Sequence, residues 1–351
     1  LGLLTLVFQC TASLLQPVIG IYTDSRPLPY SIAARVASTM VGLVVLGFAR
    51  DYWLLVVGSA LIGFGSAVFH PESSRVARLA SGGRHGFAQS TFQVGGNTGQ
   101  AIGPLLAAFV VLPHGQSSIA WFGLAALCGM LVLSFVGRWY SAHMRSAAQR
   151  PSVPKTLPFD RRTTTLALIV LTLLTITKNV YMAAIGNYFT FYLIHKFGMD
   201  VQTSQLMLFL FLGASAVGVF MGGPIGDRWG AKFVIWLSIL GAVPFAIALP
   251  YADIGWTIVL SIIIGILFSS CFPAIVVFAQ ELVPGRVGMI AGIFFGFAFG
   301  AGGIGAAVLG ALADAKGIDF LFQVTSYLPL LGLLAIGLPN FRKARPKLAA
   351  A

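Results

Sequence analysis

The chain has 351 residues, 57% of them hydrophobic and only 9% charged, with a formal net charge of +12. A soluble domain carries roughly a quarter charged residues, so a water-soluble enzyme or binding module is excluded. The excess of cations does not point to nucleic acid, because the apolar residues recur in runs long enough to cross a hydrocarbon core and the cations collect between them.

Read as helices, the apolar runs predict eleven spans, at 1–22, 30–49, 53–74, 86–112, 118–138, 164–195, 201–222, 232–250, 254–280, 287–312 and 320–340. Cys10, Cys128 and Cys271 lie inside these runs and read as small core residues, with no disulfide or metal framework. Between the fifth and sixth runs lies a polar segment with Arg145, Arg150, Lys155, Arg161 and Arg162 and three prolines, Pro151, Pro154 and Pro158. It reads as a linker, 140–163, between a first half, 1–139, and a second half, 164–351.

The halves repeat. Gly20-x-x-x-Asp24 matches Gly223-x-x-x-Asp227 at an offset of 203 residues. Gly63, Pro71, Gly83-Arg84-x-Gly86 and Gly103 match Gly265, Pro273, Gly285-Arg286-x-Gly288 and Gly305 at an offset of 202. A run of matches at nearly one offset implies a duplicated unit. The second unit has six runs and the first has five, so a further helix is expected ahead of Leu1. The expected class is therefore an all-α polytopic membrane protein of two pseudo-symmetric six-helix bundles. Counting that extra helix as the first, alternate connections and the tail carry 18 of the 22 lysines and arginines, which predicts cytoplasmic termini and a cytoplasmic linker.

Function should show where polar groups enter the membrane despite their cost. Lys178 sits near the middle of the run 164–195, where a charged lysine costs about 3 kcal/mol on insertion scales. Helical spacing puts Lys178, Tyr181, Ile185, Tyr188 and Tyr192 on one face. That face can present one cation and several phenol hydroxyls to a central cavity. The alternative is a lysine neutralised by a carboxylate of a neighbouring helix. In the run 53–74, Ser59, Gly63, Ser66, His70 and Ser73 share a stripe. His70 titrates near neutral pH and suits proton coupling, or is a hydrogen-bonded structural residue. Glu72 can pair with Arg75 one turn on, as a latch or a proton carrier. Gln89, Gln93, Gly96, Gln100 and Gly103 share a face of the next helix and read as interhelical glue. Gly288, Gly292, Gly296 and Gly300 read as a close-packing seam. No nucleophile–base or metal constellation is visible, so no enzyme activity, cofactor or metal is expected. His70 with Ser66 or Ser73 is the only faint candidate for one, and no second histidine or carboxylate converges on it by spacing.

The stretch Gly223-x-x-x-Asp227-Arg228-x-Gly230-x-Lys232 resembles the signature loop of the major facilitator superfamily of membrane transporters. Gly99-x-x-x-Gly103-Pro104 resembles the fifth-helix motif of its antiporters, with Ala107-Ala108 in place of a glycine pair. The segments from His70 to Arg78, from Ala80 to Gly86 and from Phe92 to Asn97 resemble the bacterial fosmidomycin-resistance transporters. The resemblance implies a bacterial inner-membrane exporter of a phosphonate antibiotic, exchanging it for protons and working as a monomer in the bilayer. It implies a site on the fourth, seventh and tenth helices, which carry His70, Lys178 and Cys271-Phe272-Pro273. Lys178, Tyr181, Tyr188, His70 and Ser66 are then the expected substrate contacts. His70, Glu72 and Lys178 are the expected proton carriers. Asp24, Arg75, Asp227, Arg228, Lys232, Gly99, Gly103 and Pro104 are the expected gating residues. The first-half loop, Gly20-x-x-x-Asp24-Ser25-Arg26-Pro27, keeps the carboxylate and loses the regular basic ending. Ser59 stands where drug antiporters often carry a coupling arginine. A symporter importing a small anionic metabolite is the competing expectation.

Overall fold

A computed structural model describes residues 2–148 and 156–341 of the chain. The middle of the expected linker, 149–155, and the basic tail, 342–351, lie outside the described residues. All regular structure among the described residues is helical. In chain order the main helices are α1 (Gly2–Ser25), α2 (Ser31–Phe48), α3 (Tyr52–Ala80), α4 (His85–Leu106), α5 (Phe122–Ala148), α6 (Arg161–Phe197), α7 (Val201–Trp229), α8 (Ala231–Leu240), α9 (Ile254–Leu282), α10 (Val287–Lys316) and α11 (Ile318–Thr325). Short helical turns extend several of them. A π-helical turn, Ala107–Val111, follows α4, and a 3-10 stretch, Leu328–Gly337, follows α11.

These eleven segments fall on the eleven apolar runs. Among the described residues, nine are long and apolar enough to cross a bilayer, and α1 and α4 are not in that set. The amides of Gln89, Gln93, Asn97 and Gln100 dilute the hydropathy of α4.

Several boundaries differ from the sequence expectation. α7 does not stop at 222 but runs to Trp229, so most of the signature stretch is helical. The turn is confined to Gly230, whose φ of +98° places it where only glycine rests without strain. Likewise α5 runs to Ala148, past the expected start of the linker. Trp139 stacks on His143 one turn later, which carries the helix on beyond its apolar run. α6 begins at Arg161 because the Asp160 side chain accepts from the Thr163 amide and caps it. Cys271 is buried, but Cys10 and Cys128 are exposed. The outer surface of a membrane helix is as apolar as its core, so hydropathy alone could not separate the two.

The chain forms two compact units. The first is drawn from Leu1–Leu79, Ile102–Thr156 and Val283–Gly300, and the second from Ala80–Ala101, Leu157–Leu282 and Ala301–Ala351. In the first, α2 packs along α5. In the second, α9 is the core helix, packed on α6, α7 and α8 and buried on most of its faces. The units cross the boundaries of the sequence repeat. The first turns of α10 belong with α1, and those of α4 belong with α7.

Candidate functional site

Two carboxylates explain that exchange. Asp24, at the end of α1, accepts from the backbone amides of Gly288 at 2.9 Å and Met289 at 2.7 Å. Asp227, near the end of α7, accepts from those of Gly86 at 2.7 Å and Phe87 at 2.8 Å. Each acid thus meets the first turn of a helix from the other half of the repeat, where unpaired N–H groups and the positive dipole end favour an anion. Glycine is required at both contacts. A side chain at Gly288 would collide with the Arg75 guanidinium, and one at Gly86 would lie 2.9 Å from the Asp227 carboxylate.

The two contacts are built differently. Behind Asp24 stands Arg75 of α3, 2.6 Å from its carboxylate, with side chains only 8% and 9% exposed. Arg75 also donates to the Thr23 carbonyl at 2.6 Å and lies 2.9 Å from the fully buried Glu72. Tyr140 of α5 is buried beside the same guanidinium. Glu72 therefore sits in a closed ion-pair network. Among the described residues, no ion pair reaches the Asp227 carboxylate itself. The repeat puts Ala274 at the position of Glu72 and Val277 at that of Arg75. Both line a cavity of about 820 Å³ that also touches Asp227, Lys232, Trp236 and Glu281. The two cations of the signature stretch are held locally. The Lys232 amine donates to the Leu338 carbonyl, and the Arg228 guanidinium lies 5.5 Å from the Trp229 ring centroid. Gly99 and Gly103 of α4 face open space, and Pro104 falls within the same helix.

In the second unit, Lys178 is half-buried on α6, with its amine 5.5 Å from the centroid of the Phe272 ring on α9. Among the described residues, no carboxylate pairs with this amine and no side chain or carbonyl accepts from it. The alternative of a neutralising carboxylate therefore finds no partner in the fold. The tyrosines on the same face are largely consumed by packing. Tyr181 is 2% exposed and tilts against Phe268 at 4.9 Å. Tyr192 is stacked on Phe322 at 4.2 Å. Tyr188 is half-buried and donates to the Ala306 carbonyl at 2.6 Å. Phe272, the aromatic face under the amine, is the residue that sequence reasoning passed over. Only its place beside Cys271 and Pro273 in an apolar run was visible.

In the first unit, His70 of α3 packs against two rings of α10, Phe295 at 4.9 Å and Phe299 at 5.0 Å. Ser66 lies one turn before it and is half-buried. Gln9 of α1 donates to the Phe299 carbonyl at 2.6 Å. Of the expected α10 glycine seam, Gly288, Gly292 and Gly296 lie against α1, whereas Gly300 faces open space. Side chains at Gly292 and Gly296 would meet the carbonyls of Gln16 and Ser13.

Span-length helices, an internal repeat and a matching acid-to-helix contact in each copy define a polytopic helical transporter of the major facilitator type. The sequence profile described as Major Facilitator Superfamily matches residues 1–192 and again 167–351, and the chain belongs to that family. It is thus a multi-pass membrane transporter and not an enzyme. Among curated relatives, the fosmidomycin resistance protein of Escherichia coli is 52% identical over 97% of this chain and 84% of its own length. An uncharacterized transporter of the same family from Bacillus subtilis, YfnC, is 40% identical over 98% of this chain and 85% of its own. Among solved structures, the fucose:proton symporter of E. coli superposes with a TM-score of 0.75 at 15% identity, over 97% of this chain and 90% of that one, which shows the shared fold.

Proposed function

We propose that the chain exports fosmidomycin-like phosphonates or related small anionic drugs by proton antiport, exposing its site alternately to the two sides of a bacterial inner membrane. The observation that carries this reading is the Lys178 amine, which lies within a span with no counter-charge among the described residues. Even a half-buried cation within a span is costly without a partner, and an arriving phosphonate would supply the missing charge. The 52% identity to a protein named for fosmidomycin resistance supports the choice of anion. Lys178 binds the acidic group, with Phe272 beneath it. Tyr188, on the same face of α6, is a further contact, and His70, Glu72 and Lys178 are the candidate proton carriers. The Asp24 and Asp227 contacts act as latches at the cytoplasmic ends of the helices, with Arg75, Arg228 and Lys232 beside them. The linker and tail are cytoplasmic.

The test is fosmidomycin flux in proteoliposomes under an imposed pH gradient. Transport driven by an inward proton gradient in the export direction is expected. Uptake in symport with protons would replace this reading with import of a small anion.

A further inference from the structure

Of the five hydroxyls in the second unit that are buried with no hydrogen-bond partner among the described residues, three stand apart from Thr190 and Thr257, which lie more than two helical turns away along α6 and α9. The three belong to Tyr181 of α6, Ser215 of α7 and Ser269 of α9, which are 2%, 6% and 2% exposed. Their positions converge. On α9, Ile266 and Ser270 back onto Gly218 and Gly222 of α7. Phe268 and Phe272 face α6, where they meet the Tyr181 ring and the Lys178 amine. At 100° per residue, Ser269 falls on the helix between these two sets and points at the line where α6, α7 and α9 meet. Ser215 reaches that line from α7, with its Oγ 3.2 Å from where a Cβ on Gly265 would sit, one turn before Ser269.

A helical serine has an easy alternative in the carbonyl a turn behind it. Ser261 and Ser270 take that bond, to Ile258 and Leu267. Ser215 and Ser269 do not. Leaving a buried hydroxyl unpaired is costly, so three together call for a shared partner. A buried water makes about three hydrogen bonds, which matches three hydroxyls that can each donate or accept. A metal cation does not suit the place, because no carboxylate lines it and Lys178 stands one turn from Tyr181.

We infer that Tyr181, Ser215 and Ser269 hold an ordered internal water at the α6–α7–α9 junction, one helical turn from Lys178. The site hydrates the lysine end of the unit from within. It stands whether or not the transported anion is a phosphonate.

X-ray radiolytic labelling in heavy-oxygen water, read by mass spectrometry on the intact protein in lipid nanodiscs, tests this. A bound water is ionised in place and labels the side chain beside it, however poorly that side chain meets bulk solvent. After correction for intrinsic reactivity, Tyr181 should label several-fold faster than Phe189 and Phe278, which are 0% and 1% exposed. The Ser215→Ala/Ser269→Ala double variant should bring Tyr181 down to their level, and each single serine variant should lower it in part. A wild-type Tyr181 that labels no faster than the two phenylalanines would overturn the site. So would a rate unchanged in both the double variant and the Ser269→Ala single variant, which removes one oxygen from a helix that otherwise keeps its packing.

Discussion

Lys178 and Asp24 show how differently a buried charge behaves with and without partners. Lys178 has an aromatic face and, among the described residues, no carboxylate paired with it, and the proposed function assigns its charge to the cargo. Replacing it by Gln should abolish fosmidomycin resistance in expressing cells while membrane abundance stays at the wild-type level, and Arg should restore part of the resistance. Wild-type resistance in the Gln variant would remove the amine from the mechanism. Asp24 is the reverse case, spent on Arg75 and on two backbone amides. Removing one partner of a buried ion pair strands the other, at a cost of about 3–5 kcal/mol. Asp24→Asn and Arg75→Gln should therefore both lower the thermal midpoint clearly. Asp227→Asn, which strands no arginine, should lower it less. Of these residues, Lys178 and the Glu72–Arg75 pair were legible in the sequence, because a charge in an apolar run and two charges one turn apart are local signals. The arrival of Asp24 was not, since its separation from Arg75 by 51 residues leaves no local pattern.

At the scale of single helices, the repeated Gly-Arg-x-Gly in fact carried the missing information. Its last glycines, Gly86 and Gly288, are the places where an acid from another helix must approach the backbone. Gly288→Ala should displace the Arg75 guanidinium, and Gly86→Ala should press on Asp227. Each should speed hydrogen exchange in the first turn of its own helix, α10 or α4, with little change in the middle of α9. The start of α7 offers a pH test. The Thr203 hydroxyl and amide hold the Asp200 carboxyl below the ordinary carboxylate range. A depressed folded value means the cap is fully formed at neutral pH and is lost as pH falls through that value. Protection at Thr203 and Ser204, corrected for intrinsic rates, should stay flat from neutral to mildly acidic pH and drop only in strong acid. Asp200→Ala should lower protection at Thr203 at every pH, while Ser204, whose amide donates to the Asp200 backbone carbonyl, should change less. Helix number and order were readable from hydropathy, whereas ends were not. Polar turns at Gly222–Trp229 and Tyr140–Ala148 keep helical geometry after the apolar run has finished.

For the molecule as a whole, hydropathy and the repeat together identified a membrane transporter, because a bilayer leaves the backbone few alternatives to a helix. The grouping of α4 and α10 was out of reach, since it depends on backbone amides that every sequence possesses. Transport itself is a property of the complete chain. Reconstituted protein should accumulate or expel fosmidomycin only while a pH gradient is maintained, and a protonophore should collapse the flux. Persistence of flux without a gradient would mean facilitated diffusion. The difference between the duplicated acids has a further result. Asp227 lies exposed beside its cavity, whereas Asp24 is enclosed. Mobile ions screen exposed charges over about 10 Å at 0.1 M and about 3 Å at 1 M, and reach enclosed ones poorly. Ionic strength should therefore act on one copy of an ancestral duplication and spare its twin, giving the experimenter a dial that addresses half of a symmetric design.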